Sequence, residues 1–271
     1  MQRLIYTIFL VITLSSCEDV IEVKLKTVEP RLVIDASLNW VKRSTGSTQT
    51  IQLSLTAPYF NSDIPPATGA IVSVADSNNN TFNFIEEGNT GIYKTDTFIP
   101  VNNNNYFLTI HYENETYTAV ETLTSVPDIE FVEQKNDEGF SGEEIEIKAY
   151  YTDPKNTKDF YLFEFINNTL KTISLEVYDD EFTEGNKFFA LYTDENLEYG
   201  DELIIRNSGI SERTYHYLNI LLQQSDDENG DPFATQPTLV RGNCINQTNP
   251  SNYPVGYFRI SEVSIFRYII E

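Results

Sequence analysis

Leu32-Val33-Ile34-Asp35-Ala36-Ser37-Leu38-Asn39-Trp40 decides the fold. Leu32, Ile34, Ala36, Leu38 and Trp40 share one face of an extended chain, while Asp35, Ser37 and Asn39 point the other way. A period of two belongs to a strand with one face in a core and the other toward water. The pattern repeats downstream. Ile51, Leu53, Leu55 and Ala57 alternate with Gln52, Ser54 and Thr56, and Tyr106, Leu108, Ile110 and Tyr112 alternate again. Val72 and Val74 lead into the turn-forming run Asp76-Ser77-Asn78-Asn79-Asn80, with Phe82 and Phe84 beyond it. Short alternating strands separated by Asn-, Gly- and Pro-rich turns predict an immunoglobulin-like β-sandwich over residues 30–127, ending near Pro127.

Residues 128–271 predict a second β-rich domain containing one helix. Ile145, Ile147, Ala149 and Tyr151 alternate, and 160–166 is apolar on both faces, as in a strand covered on two sides. Ser211 is a natural N-cap, and Tyr215, Leu218, Leu221 and Leu222 recur at helical spacing, which places the helix near 211–224. Residues 255–270 form a last apolar stretch suited to closing strands. No internal repeat is visible. The fold class expected is therefore mainly all-β.

Upstream of the sandwich the chain begins Met1-Gln2-Arg3, runs apolar from Leu4 to Leu14, and continues Ser15-Ser16-Cys17. A short basic start, about a dozen apolar residues and small residues before a cleavage point describe a signal peptide over 1–16. The apolar run is shorter than the roughly 20 residues that span a bilayer. Leu14-Ser15-Ser16-Cys17 resembles the bacterial lipobox, which makes Cys17 the expected lipidation site and the membrane a partner through that anchor. Each buried CH₂ of an attached chain contributes about 0.8 kcal/mol, so several acyl chains hold where one is marginal. Residues 17–29 then read as a tether.

The chain carries 18 basic and 41 acidic residues, a formal charge of −23, and cleavage before Cys17 would remove only Arg3. A surface of this sign repels nucleic acid and anionic lipid headgroups. An apolar content of 40% is enough to fill cores, so the acidity reads as a solvated exterior and not as disorder. With Cys17 acylated, Cys244 has no disulfide partner and reads as a small buried apolar residue.

Few residues suggest chemistry. Ser225-Asp226-Asp227-Glu228-Asn229-Gly230-Asp231 offers oxygen ligands around a glycine turn, and Asp226, Asp227 and Asp231 are its metal candidates. With Gly230 at the sixth position of a calcium loop, Ser225 and Gln236 fall at the two ends, where carboxylates belong. Asp179-Asp180-Glu181 and Glu143-Glu144 supply paired acids of the kind glycoside hydrolysis uses, a common coincidence in so acidic a chain. No Gly-x-Ser-x-Gly elbow, phosphate-binding glycine loop or clustered histidines occur, so no catalytic residue and no cofactor is expected. Trp40 is in register with the core face. Tyr59-Phe60, between Pro58 and Pro65-Pro66, is the aromatic pair best placed to meet a ligand.

Several blocks resemble one family. Cys17-Glu18-Asp19-Val20-Ile21 followed by Glu29-Pro30-Arg31-Leu32-Val33-Ile34 is similar to the start of Bacteroidota lipoproteins grouped as "domain of unknown function 4249". Thr56-Ala57-Pro58-Tyr59-Phe60, Pro66-Ala67-Thr68-Gly69-Ala70, Gly91-Ile92-Tyr93, Tyr117-Thr118-Ala119, Asp231-Pro232-Phe233 and Gly256-Tyr257-Phe258 continue the likeness through the chain. The resemblance implies an outer-membrane lipoprotein, and Glu18-Asp19 after the acylated cysteine resembles the surface-export signal of that phylum. It further implies a non-catalytic ligand-binding or accessory subunit of a TonB-dependent nutrient transporter. An adhesion or envelope-scaffold protein is the alternative, and a hydrolase using two of the carboxylates is a more distant one.

Overall fold

The computed structural model describes residues 29–58, 63–138, 144–181, 185–226 and 240–271. The first sandwich contains β1 (Leu32–Val41), β2 (Gln49–Leu55), β3 (Ile71–Asp76), β4 (Thr81–Glu86), β5 (Ile92–Thr95), β6 (Asn105–Tyr112) and β7 (Glu115–Thr122). Strands β1, β2 and β5 pair on one side of the sandwich and β4, β3, β6 and β7, in that order, on the other, and a short β4–β5 ladder joins the two sides. Ile34, Leu38, Leu53 and Tyr93 from the first sheet meet Val74, Phe84, Leu108 and Ile110 from the second in one core. The period-two pattern of β1 is kept, with Leu32, Ile34, Ala36 and Leu38 buried.

This seven-strand arrangement is immunoglobulin-like, and Tyr106 carries a detail of that architecture. Near the start of the sixth strand its ring is buried against Phe98, centroids 5.1 Å apart. Its hydroxyl donates to the Ile99 carbonyl at 2.9 Å and accepts from the Val101 amide at 2.8 Å, tying the strand to the corner just upstream. Tyr106→Phe keeps the ring and leaves two backbone groups without their partner. The expected cost is about 1–3 kcal/mol in urea denaturation, with native spectra retained.

The second sandwich contains β8 (Phe131–Glu138), β9 (Glu144–Thr152), β10 (Phe160–Asn167), β11 (Thr172–Asp179), β12 (Lys187–Asp194), β13 (Glu202–Gly209) and β15 (Val255–Ile269). One sheet is β8-β9-β12, the other β11-β10-β13-β15. Position for position this is the strand order of the first sandwich: first, second and fifth strands in one sheet, fourth, third, sixth and seventh in the other. The topology repeats although no repeat is visible in the sequence. Tyr151, Tyr161, Phe163, Phe165, Leu203 and Ile205 belong to its core.

Between the sixth and seventh strands of this second sandwich lies an insertion that reaches back to the first. It contains α1 (Glu212–Asp226) and β14 (Ile245–Asn246). Ser211 caps α1 as expected, its Oγ accepting the Thr214 amide at 3.2 Å. The helix continues to Asp226, so Ser225 and Asp226 belong to its last turn and not to the loop expected there. Tyr215 and Leu218 pack over Phe160, Leu162 and Ile210. This cover on the outer face of β10 is why 160–166 is apolar on both sides. Beyond α1, β14 pairs with β7, and Cys244 joins the first core.

The last strand then runs through both sandwiches. Val255–Val263 of β15 lies parallel to β1, with Phe258 and Ile260 in the first core. From Val263 to Ile269 the same strand pairs antiparallel with β13, with Phe266 and Tyr268 packed on the second core. The result, among the described residues, is one 12-stranded sheet that runs through both sandwiches. Residues beyond Pro127 thus serve both cores. The connection between sandwiches is fastened to the same strand: the Val126 amide donates to Glu262 Oε2 and the Ile129 amide to Ser264 Oγ. Gly209 explains how closely β13 meets this connection, since a Cβ there would lie 2.2 Å from the Ser125 carbonyl oxygen.

Candidate functional site: an acidic cleft at the end of the second sandwich

Three aspartates meet where strands of the second sandwich end. Asp153 follows β9, Asp159 precedes β10 and Asp180 follows β11. The antiparallel register pairs Phe160 with Asp179, which sets Asp159 beside Asp180 one step further out. One carboxylate oxygen from each of the three lies within 4.8 Å of the others. Asp153 is 1% exposed and Asp180 5%, while Asp159 is half-buried.

Hydrogen bonds fix the group. The Tyr161 hydroxyl donates to Asp153 Oδ1, the Asp159 amide to Asp180 Oδ2 at 2.8 Å, and the Thr157 hydroxyl to Asp159. Burial holds the Asp153 carboxyl above the usual carboxylate range. The Asp180 and Asp159 charges push the same way, against the Tyr161 hydroxyl and the Gly185 amide, which lower it. Asp159 is raised too, first by burial and then by Asp180, with Thr157 opposing. Asp153 Oδ2 is buried with no hydrogen-bond partner, and so is the hydroxyl of the fully buried Tyr151. Burial is the first cause that raises the Tyr151 pKa, and the Asp153 charge is the second.

Asp180 also opens onto a cleft of about 690 Å³ between these loops and the start of α1. Asp179, Glu181, Glu212, Lys158 and Tyr215 are among its lining residues. Tyr215 donates to Asp179 Oδ2 at 3.0 Å, and Lys158 is paired with Glu212. The first turn of α1 also touches the first sandwich: Thr214 Oγ1 donates to the buried Glu121 at 3.2 Å. Burial raises the Glu121 pKa, against the Thr122 amide and the Ser211 and Thr214 hydroxyls.

A second surface is notable for what it carries. On the sheet β4-β3-β6-β7, the outward positions are Ile71, Ser73 and Ala75, then Thr81, Asn83 and Ile85, then Asn105, Phe107, Thr109 and His111, then Thr116, Thr118, Val120 and Thr122. None of these is Asp, Glu, Lys or Arg, in a chain of formal charge −23. Phe107 is directly opposite Val120 and beside Ala75, and Ile71, Ile85 and the β14 residue Ile245 are 68%, 70% and 58% exposed.

Among residues singled out from sequence, Cys17, Tyr59, Phe60, Asp227 and Asp231 lie outside the described residues. Asp226 is placed by its backbone alone, at the end of α1. Trp40 packs against the first core and donates to the Ser44 carbonyl. Cys244 is buried, its thiol pushed up to about 12 by burial, as suits an inert apolar residue. Of the acid pairs, Asp179-Asp180-Glu181 lines the cleft. Asp153 and Asp159 carry no local signal, because in sequence they are 27 and 21 residues from Asp180. The β10–β11 register sets Asp159 beside Asp180, and the packing of β9 over β10, with Tyr161 donating to Asp153, adds the third. Among the described residues no helix is long and apolar enough to cross a membrane.

Comparison with known proteins adds a family. The family described as "Domain of unknown function (DUF4249)" matches residues 18–267. No curated protein matches the chain. Among solved structures, a two-domain fibronectin type III segment of chicken tenascin is similar at 12% identity, covering 66% of this chain and 90% of that one, with a TM-score of 0.22.

Proposed function

Because the chain belongs to the DUF4249 family, whose match starts one residue beyond Cys17, we propose that it is a Bacteroidota lipoprotein anchored through Cys17 in the outer membrane and facing outward. There it serves as a non-catalytic accessory or ligand-binding subunit of a TonB-dependent nutrient transporter. The observation that carries a binding role is the uncharged Thr-, Ile- and Phe-bearing face of β4-β3-β6-β7. Charge depletion with an aromatic anchor is what distinguishes the buried centre of a protein interface from ordinary surface. In so acidic a chain, one sheet face free of Asp, Glu, Lys and Arg is a surface on which a partner desolvates little charge. Phe107 and Val120, paired across β6 and β7, form its apolar centre.

The test is an affinity pull-down of the lipidated protein from solubilised envelope, with wild type beside a Phe107→Asp/Val120→Asp double variant. One outer-membrane transporter should be recovered at near-equal amount with wild type, and at least tenfold less with the variant. The variant should keep native near-UV circular dichroism and a cooperative melt, since these side chains are outside the core, with a midpoint lowered by the two facing carboxylates. Recovery of nothing specific would count against the accessory role. Equal recovery by both would place the partner elsewhere. Cys17→Ala should move the protein from the membrane fraction to the soluble one, and a variant that stayed bound would refute the anchor.

A further inference from the structure

We propose that Asp153, Asp159 and Asp180 bind one divalent hard cation, Ca²⁺ by their chemistry, behind the acidic cleft. The donors are all carboxylate oxygens, the ligand type Ca²⁺ and Mg²⁺ prefer and softer metals do not require. Their three nearest oxygens fall within 4.8 Å of one another, close enough to share one ion, and Mg²⁺ demands near-ideal octahedral geometry and gives up its waters reluctantly, whereas Ca²⁺ takes about six to eight oxygens in flexible geometry. Ca²⁺ therefore suits three carboxylates set by separate strand ends better than Mg²⁺ does. They come from three separate strand ends, where irregular backbone can supply carbonyls and where Asp180 opens to water in the cleft.

The independent pointer is the unmet demand around the aspartates. Asp153 is 1% exposed, yet its Oδ2 has no hydrogen-bond partner, and the buried Tyr151 hydroxyl, next in the field of Asp153, has none either. Buried carboxylates are ordinarily paired, hydrogen-bonded or bound to metal. Among the described residues none of the three aspartates makes an ion pair with Lys or Arg, and the adjacent Lys158 is paired with Glu212. A cation supplies the missing counter-charge for all three at once, and cation binding to the folded state stabilises it by mass action. This site is independent of any transporter partner.

The test uses the purified full chain stripped with EGTA. Calorimetric titration with CaCl₂ should show one saturable site, and the thermal midpoint should rise with CaCl₂ and less with equal MgCl₂. Asp159→Asn, at the half-buried position, and Asp180→Asn should each weaken Ca²⁺ binding at least tenfold. In EGTA both variants should melt no lower than wild type, because each removes a carboxylate repelled by its neighbours. Absence of heat and of any midpoint shift at millimolar CaCl₂ would overturn the proposal, leaving an acidic cluster that takes no cation. Undiminished binding by both variants would also overturn it, since Ca²⁺ would then sit on other acids of this chain.

Discussion

Ending the chain at Pro254, which removes β15, should abolish the cooperative unfolding of both sandwiches, although only the second counts β15 among its seven strands. The strand is internal to the 12-stranded sheet, between β1 and β13, so its loss opens two ladders. It also uncovers both cores, because Phe258 and Ile260 fill the first while Phe266, Tyr268 and Ile270 complete the second. Fully burying one such side chain is worth about 1.5–3 kcal/mol, and a domain of this class is stable by only about 5–15 kcal/mol in total. The amides of Val126 and Ile129 lose their acceptors on Glu262 and Ser264 in the same stroke. Near-UV circular dichroism and urea unfolding of the truncated chain check this. A truncated chain that kept one sharp transition, with the first sandwich's aromatic signals native, would show that the parallel β1–β15 pairing adds nothing to the first core.

That dependence is the part of the fold the sequence hides. Alternation in β1, β2 and β6 is legible because each of these strands has one face in the core and one toward solvent. The helix is legible because Ser211 and the 3.6-residue period are local signals. By contrast, 255–270 reads only as a last apolar stretch, and nothing in it shows that Arg259, Ser261 and Glu262 are buried along with Phe258, Ile260 and Val263. Which strand it pairs with is decided by residues some 220 positions away, and no local pattern records that. The repeated strand order is invisible for a related reason: one core packs Ile34, Leu53 and Val74 where the other packs Tyr151, Phe163 and Phe165, and topology constrains period and turns far more than identity.

The site follows the same division. Asp179-Asp180 draws attention in sequence as an acidic pair, but the partner that matters for Asp180 is set by register, through Phe160 opposite Asp179. Asp153-Pro154 reads as a strand break, and it is one; that the broken end points an aspartate into a buried cluster is a consequence of tertiary folding. The uncharged face was present in the sequence as the polar half of each alternation. Its lack of charge becomes visible only when four strands are laid side by side.

The second large effect is expected at one glycine. Gly256 has φ +96 and lies opposite Ile34 in the parallel ladder. A Cβ there would stand 2.1 Å from the Ile34 carbonyl oxygen and 2.8 Å from its carbon, both backbone atoms held by the sheet. Relief would require β15 to move away from β1, and Gly242 blocks another route, since its own Cβ direction already meets the Gly256 carbonyl oxygen at 1.6 Å. Gly69 is the matched control: φ is +77, and nothing lies within 4 Å of its Cβ position. Gly69→Ala should then cost only the left-handed backbone penalty of about 1–2 kcal/mol. Gly256→Ala adds a backbone clash and should exceed about 4 kcal/mol, the range reserved for a named structural failure. Urea unfolding of the two variants under identical conditions gives the comparison. The loss at Gly256 should appear equally in signals from both sandwiches, because β15 ties them. If the two substitutions cost the same, β15 does not approach β1 closely at Gly256, and the junction must be held by the Val263–Ile269 half of the strand alone.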